Sequence, residues 1–314
     1  MSDSGEVANL VQELVEQRLN ENDIDLVSSS VGDANHTFII DGKYVVKLEK
    51  NEDWTSGWQE EMYRETEILK LLEESDIDTP EIISEGEIEG RYFRIMEYLD
   101  GENLDKYSGG RSFHNLEEQE KITLSRRMGK TLGGVHNSYS FNRSGLIQPE
   151  NGISISDNTW SEGIKSLQEW WMKKLRENGY DETAVKAEES FDKYSDLLDE
   201  RKDSTLLHME FDLRNTLFQE NDIAVLDWET AAAGDPFLDL IISEIRIFWL
   251  SEEDEKYQKA FRKGYRESRN INYDEITEKL YELLQMTRLL VIFSDKEDTE
   301  KRITNRIESL LNQL

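Results

Sequence analysis

Two turn dipeptides in the first hundred residues most narrow the folds open to this sequence. Asp41-Gly42 interrupts the segment FIIDGKYVVKLE, and Glu89-Gly90 precedes the segment RYFRIMEYL. Each dipeptide lies beside β-branched and aromatic residues, a pattern typical of a β-hairpin. Between them, residues 57–74 have the spacing of an amphipathic helix. Its apolar stripe consists of Trp58, Met62, Leu69 and Leu72. This half therefore predicts a small sheet with one long helix against it.

The chain after Gly101 is mainly helical in pattern. Apolar residues at helical spacing form two stripes, Leu124, Met128, Leu132 and Val135, and then Ile164, Leu167, Trp171 and Leu175. Further helices are predicted at 6–19, 184–199, 237–250, 254–267 and 274–292. One short β signal, a hairpin over 216–226 with a QEND turn, interrupts the helices. We predict an α+β bilobal fold, with a β-rich lobe over 1–100 and a large helical lobe over 101–314.

The charge of the chain restricts its partners. There are 68 acidic and 37 basic residues, which gives a net charge of −31 and an isoelectric point near 4.5. Such a surface repels nucleic acid and anionic membranes, so neither is expected as a partner. The charge is spread along the chain rather than gathered in a block, which favours a solvated acidic surface, such as one adapted to high salt, over an acidic tail.

Cysteine is absent, which excludes disulfides, thiolate catalysis and cysteine zinc sites. The N-terminal segment MSDSGEVANLVQELVEQRL carries acids where a signal peptide has a basic start and an apolar run. No segment approaches the roughly 20 apolar residues of a membrane span. A soluble cytoplasmic protein is expected.

Phosphoryl transfer is the chemistry that the segment from His208 onward favours. It needs metal ions against the phosphates, a carboxylate beside the attacking hydroxyl and a cation on the nucleotide. Asn215 and Asp227 lie at the two ends of the predicted hairpin and offer hard oxygen ligands suited to Mg²⁺. Glu210 is placed to accept the proton of a substrate hydroxyl. His208 is placed to brace the loop by hydrogen bonding.

The nucleotide cation is predicted in the first hundred residues. Lys47 lies on the second strand of the first hairpin, where a solvated edge is the ordinary alternative. Glu65 falls on the apolar stripe of the following helix, and a carboxylate there is costly unless it is paired. Lys47 is its expected partner.

Three short motifs together resemble the aminoglycoside phosphotransferase and choline kinase family, which shares the protein-kinase-like fold. The motifs are HMEFDLRNTLF, IAVLDWE and GDPFLDL. Residues that match in type and order are His208, Asn215, Asp227, Trp228, Glu229, Gly234, Asp235, Pro236 and Asp239. The resemblance covers about residues 25 to 250. It implies ATP, or alternatively GTP, as phosphate donor, Mg²⁺ as cofactor, and a small-molecule hydroxyl as acceptor.

The resemblance also implies nucleotide contacts. Ser30 and Asn35 fall in the segment that would cover the phosphates, although it has only one glycine. The backbone from Glu97 to Leu99 would bind adenine as the connector between lobes. Arg64-Glu65 matches an Arg-Glu pair of the family. His136 lies in a helix that resembles one of the family's and is interpreted as a packed structural residue.

One position departs from the family, because Glu210 stands where the catalytic aspartate is expected. Glutamate is longer by one methylene, and a displacement of roughly 1 Å can cost about a hundredfold in rate. Three interpretations remain open. Glu210 serves as the base with a shifted substrate, Asp212 takes that role, or the protein is a nucleotide-binding regulatory module with little catalysis.

The acceptor itself is not identified by any motif. The family implies an aminoglycoside, an amino alcohol or a sugar. Trp160, Trp170 and Trp171 lie where acceptor-binding helices are expected, and aromatic rings can hold a cation. Aromatic residues at such positions are also typical of a core.

Overall fold

The structure, a computed structural model, describes residues 3–21, 24–28, 35–50, 58–106, 108–149, 153–157, 159–270 and 272–314. The α-helices are α1 (Asp3–Leu19), α2 (Trp58–Leu72), α3 (Glu118–Ser138), α4 (Trp160–Glu177), α5 (Asp181–Lys193), α6 (Ser195–Asp199), α7 (Pro236–Glu244), α8 (Glu255–Ser268), α9 (Glu275–Ile292) and α10 (Glu297–Leu311). The strands are β1 (Leu26–Ser28), β2 (Asn35–Ile40), β3 (Tyr44–Glu49), β4 (Ile82–Ile88), β5 (Arg91–Glu97), β6 (Ser144–Gln148), β7 (Ser154–Asp157), β8 (Thr205–Leu207), β9 (Thr216–Phe218), β10 (Ile223–Val225) and β11 (Ala232–Gly234).

The chain forms two compact units. The first comprises Met1–Glu102 and Leu217–Glu229, and the second comprises Asn103–Thr216 and Thr230–Leu314. The segment 217–229, which the sequence analysis assigned to the helical lobe, packs with the first unit. The reason is backbone pairing, since Glu102 and Phe218 exchange two hydrogen bonds of 2.9 Å. The roles of the lobes over 1–100 and 101–314 stay predictions.

The first unit is built on an antiparallel sheet in the order β1-β2-β3-β5-β4. Both predicted hairpins are present. Asp41 and Gly42 have φ of 52° and 64°, and Glu89 and Gly90 have φ of 50° and 75°. Two successive left-handed residues match the twist of the flanking strands, which explains why these dipeptides form the turns.

Two helices complete the first unit. The apolar side of α1 packs in one buried cluster with the sheet; its members are Val7, Leu10, Val11, Leu14, Val15, Phe38, Ile40, Val46, Leu48, Phe93 and Ile95. Helix α2 buries Met62, Leu69 and Leu72, as its stripe predicts. The side chain of Trp58, the fourth residue of that stripe, lies outside the described residues.

The second unit is mostly helical, as predicted, but it also contains a four-stranded sheet in the order β7-β6-β11-β8. Neither this sheet nor α10 is predicted from the sequence pattern. Strands β8 and β11 have three residues each, all buried, so they lack the alternation that marks a strand. The predicted helix 184–199 is divided into α5 and α6 at Tyr194. The predicted helix 237–250 ends as α7 and continues as a π-helical turn over Ile245–Trp249.

Of the two apolar helix faces predicted in the second unit, one is fully buried and the other only in part. The α3 stripe is buried throughout. On α4, however, Gln168 and Met172 are buried whereas Leu167 and Trp171 are only half-buried, so the buried face is rotated from the prediction. Within the described residues, no helix is both long enough and apolar enough to span a bilayer.

Helices α3 and α8 approach each other closely through glycines. A Cβ atom on Gly129 would lie 1.9 Å from the carbonyl oxygen of Phe261, and one on Gly264 would lie 1.8 Å from that of Arg126. Contacts of that length are impossible, so glycine at both positions sets the helix separation.

Candidate active site

The first unit brings Lys47 and Glu65 together, as the sequence predicts. The Lys47 Nζ atom lies 2.8 Å from Glu65 Oε2. Arg94, directly opposite Lys47 in the β3–β5 register, donates to the same carboxylate oxygen. Glu65 is only 3% exposed. Burial by itself would raise the pKa of Glu65. The positive charges of Arg94 and Lys47 have a larger, opposite effect and bring the pKa down to about 2, so Glu65 is ionised at neutral pH.

Two more carboxylates share the same lysine. Glu229 Oε1 lies 3.2 Å and Asp227 Oδ1 lies 3.6 Å from Lys47 Nζ. Burial lowers the pKa of Lys47, but Glu229, Glu65 and Asp227 outweigh it and hold the lysine fully protonated. Burial, together with Asp227 and Glu65, raises the pKa of Glu229 to about 7 against the opposing charges of Lys47 and Arg94. The three carboxylates place oxygen atoms within 4.8 Å of one another, an arrangement that favours further positive charge.

Of the other residues predicted to contact the nucleotide, the structure describes some and leaves others outside its described ranges. Ser30 lies outside the described residues, as does the glycine of its segment, Gly32. Asn35 is buried on β2 and donates to Glu229 Oε1 at 3.2 Å. The amide of Glu97 donates to the Glu81 carbonyl at 2.9 Å. The Leu99 amide donates no hydrogen bond to the backbone of any described residue.

In the second unit, Asp239 organises the loop that carries His208 and Glu210. Its carboxylate accepts from the amides of His208 at 2.6 Å and Met209 at 2.9 Å, and His136 Nε2 lies 3.1 Å away. Burial raises the pKa of Asp239, but His136 and His208 lower it below its usual range. Met209, with φ of 68°, holds the loop in a left-handed bend that costs energy in any residue except glycine.

His208 braces this loop, as predicted. Its Nδ1 accepts from the amide of Glu210 at 3.2 Å. On the other side, Asn215 Nδ2 donates to the carbonyl oxygen of Glu210 at 3.0 Å. Hydrogen bonds to the side chains of His208 and Asn215 therefore fix the backbone of Glu210 on both sides. His136 is fully buried between Asp239 and Tyr265, which agrees with a structural residue.

The carboxylates of Glu210 and Asp212 differ in their surroundings. Asp212 is buried and accepts from Arg246 at 2.9 Å and from Arg214 at 2.9 Å. Burial raises the pKa of Asp212, but these two guanidinium groups lower it below its usual value. Glu210 is more exposed, and its Oε1 lies 3.3 Å from Arg246 Nη1.

Asn215 belongs to the second unit and Asp227 to the first, so magnesium binding by the two together stays a prediction. The donor chemistry of each is suitable. Asp227 is 39% exposed and left-handed, with φ of 66°, and the carboxylate is a hard oxygen ligand. Asn215 supplies an amide oxygen, while its nitrogen is used by the loop.

Three contributors were missed by the sequence analysis: Arg94, Arg246 and the bracing role of Asp239. Arg94 and Arg246 stand outside every motif, and their burial follows from packing. Asp239 was recognised as a motif residue, but without a role. A charged residue in the apolar run RYFRIMEYL was the available signal for Arg94.

Comparison with known proteins identifies the family of the chain. A family model described as the phosphotransferase enzyme family matches residues 30–278. The chain belongs to this family. No curated protein matches the sequence significantly.

Solved structures share the fold of this phosphotransferase family member. One is a thermostable mutant of the aminoglycoside phosphotransferase APH(4)-Ia with AMP-PNP and hygromycin B, with a TM-score of 0.70, 17% identity, and 96% of this chain and 98% of that chain covered. Another is a putative fructosamine-3-kinase from Thermobifida fusca, with a TM-score of 0.68, 16% identity, and 97% and 99% covered. A third is an aminoglycoside phosphotransferase of the APH(2″) type with GDP and kanamycin, with a TM-score of 0.63, 13% identity, and 96% and 98% covered. At these identities the likeness establishes the protein-kinase-like fold.

Proposed function

We propose that this phosphotransferase moves the γ-phosphate of ATP, with Mg²⁺, to a hydroxyl group of a small molecule. The observation that carries the proposal is the Lys47–Glu65 pair, held at 2.8 Å beside Asp227 and Glu229. A strand lysine held by a helix glutamate is the arrangement that kinases use on the nucleotide phosphates.

The nucleotide is proposed to bind through the first unit. Lys47 would contact the phosphates, and the Leu99 amide and Glu97 carbonyl would bind adenine. Neighbouring structures with AMP-PNP and with GDP support a purine nucleotide, with GTP as the alternative donor. Asp227 and Asn215 would hold Mg²⁺, which when bound neutralises charge on the phosphates.

Glu210 is proposed as the base that accepts the proton of the acceptor hydroxyl. Asp212 is the weaker candidate, because two arginines already bind its buried carboxylate. Glu210 has one arginine contact, at 3.3 Å, and its backbone is fixed by His208 and Asn215. Hygromycin B and kanamycin in the neighbouring structures support a hydroxyl compound as acceptor, with amino alcohols and sugars as further candidates.

The second candidate function is a nucleotide-binding regulatory module. The contact between Arg246 and Glu210 favours it, because this ion pair engages one oxygen of the carboxylate that would accept the proton. The two candidates differ in turnover and agree in nucleotide binding.

Calorimetric titration with Mg-ATP, followed by measurement of ADP release with a panel of hydroxyl compounds, tests both. We expect binding, and turnover with at least one acceptor. Substitution Lys47→Met should weaken Mg-ATP binding about 10- to 100-fold, since a charge-assisted contact is worth about 1.5–3 kcal/mol. Absence of Mg-ATP binding at low and high salt would refute both candidates, whereas binding without any turnover would favour the regulatory module.

A further inference from the structure

Arg288, on α9, is a buried cation with no ion-pair partner in the part of the chain that the structure describes. Arg288 is 6% exposed, and its guanidinium makes no hydrogen bond or ion pair with any of the described residues. The contact that it does make is with an aromatic ring, since its Cζ atom lies 5.1 Å from the ring centroid of Trp171 on α4. Unpaired buried arginine is rare, because the guanidinium loses its hydration and gains little in return.

Other buried cations of the second unit are satisfied. Arg246 binds Asp212 at 2.9 Å, and Lys121 binds Glu253 at 3.0 Å. The chain carries 68 acidic residues against 37 basic ones, so carboxylates are plentiful. That none of the described carboxylates contacts Arg288 marks it as a position where positive charge is left available.

The charges around Arg288 connect it with the candidate base. Burial lowers the pKa of Arg288 to about 10; Glu210 and Asp239 oppose this effect, whereas Arg246 adds to it. Glu210 is itself in contact with Arg246, at 3.3 Å, and Asp212 is bound by Arg246 and Arg214. Glu210 and Asp212 thus contact other arginines, Asp239 is held by the amides of His208 and Met209, and none of these three carboxylates forms an ion pair with Arg288.

We propose that Arg288 binds an anionic group, a carboxylate or a phosphate, on the acceptor whose hydroxyl is phosphorylated. This inference rests on the proposed phosphotransferase function and narrows its acceptor class to hydroxy acids and hydroxylated phosphate esters. A guanidinium presents a fork of N–H donors that matches either oxyanion. Trp171 would keep the guanidinium in place by stacking. Polycationic aminoglycosides would be disfavoured by the same charge.

Anion binding can be measured without knowing the acceptor. Isothermal titration with sodium phosphate and with sodium glycerate, at constant ionic strength in sodium chloride, is compared among four variants. These are Arg288→Gln, Arg288→Lys, Lys47→Met and, as matched control, Arg306→Gln, whose guanidinium pairs with Glu282 in the same unit. The phosphate and glycerate arms distinguish the two anion types.

We expect saturable binding of at least one anion to the unmodified protein, weakened tenfold or more in Arg288→Gln and less in Arg288→Lys. Binding should persist in Lys47→Met and Arg306→Gln. The proposal is overturned if the unmodified protein binds neither anion, if Arg288→Gln binds as tightly as the unmodified protein, or if Lys47→Met alone abolishes binding.

Turnover provides the second measurement. ADP release is followed with matched acceptors: glycerate against glycerol, serine against serinol, glycerol 3-phosphate against glycerol, and kanamycin. We expect kcat/KM at least tenfold higher for the member of a pair that carries the carboxylate or phosphate than for the member without it, with this preference lost in Arg288→Gln at unchanged KM for ATP. Preference for acceptors without an anionic group, or for kanamycin, would overturn the proposal. Anion binding through Arg288 without any transfer would instead count against the phosphotransferase function.

Discussion

Replacing Arg288 by methionine should make the protein more stable. Burial lowers the pKa of Arg288 from its ordinary value to about 10. Each pKa unit corresponds to about 1.4 kcal/mol, so the charged guanidinium costs the folded state about 3 kcal/mol at neutral pH. Its contact with the Trp171 ring returns about 1 kcal/mol, part of which a methionine sulfur retains.

The expected net gain for Arg288→Met is about 2 kcal/mol, in line with exchanges of buried charges for apolar side chains of similar volume. In a domain of 150 to 250 residues this raises Tm by about 4 to 8 °C. Urea denaturation and thermal melting at pH 7 measure the change. The matched control is Arg306→Met, which removes a partly exposed pair with Glu282 and should cost up to about 1 kcal/mol.

A loss of more than about 1 kcal/mol in Arg288→Met would refute the reasoning, because it would show that the guanidinium already has a favourable partner in the folded protein. The anion proposal predicts a further difference. Phosphate or glycerate should raise the Tm of the unmodified protein and leave that of Arg288→Met unchanged, since a ligand stabilises only the state that binds it.

Four further substitutions test the site and the fold. Asp227→Ala should abolish phosphoryl transfer through loss of a metal ligand, and retained full activity would contradict the assignment. Glu210→Asp should retain or raise kcat, whereas complete loss would show that the longer side chain is required. Asp239→Asn should cost about 3–5 kcal/mol in urea denaturation at pH 7, against about 0.5 kcal/mol or less for the exposed Asp192→Asn. Because the pKa of Asp239 is lowered in the folded state, its contribution is present above the unfolded value of 3.8 and is lost as pH falls below it, so the two proteins should converge in stability at acid pH. Gly129→Ala should destabilise by more than about 2 kcal/mol, because its methyl group would meet the Phe261 carbonyl, and an unchanged Tm would refute that packing.

Local signals in the sequence predicted both hairpins and helix α2 of the first unit. The Asp41-Gly42 and Glu89-Gly90 turns fix two hairpins, because left-handed backbone is required there and these residues accept it. The apolar stripe of α2 likewise predicts its buried face, and the cost of a carboxylate on that stripe predicts its pairing with Lys47. Each of these inferences depends on neighbours a few residues apart or on one energetic penalty.

The charges of the site depend on residues that are distant in sequence. Only the tertiary structure shows where these residues lie. Arg94 shares Glu65 with Lys47 across the β3–β5 register, and Asp239 reaches back to the loop of His208. The three-residue strands β8 and β11 carry no periodicity of their own. Sequence motifs predicted the phosphotransferase family to which this chain belongs. Tertiary packing decided which carboxylates pair with arginines, and it left Arg288 without a carboxylate partner among the described residues, because burial and pairing arise only when distant segments meet.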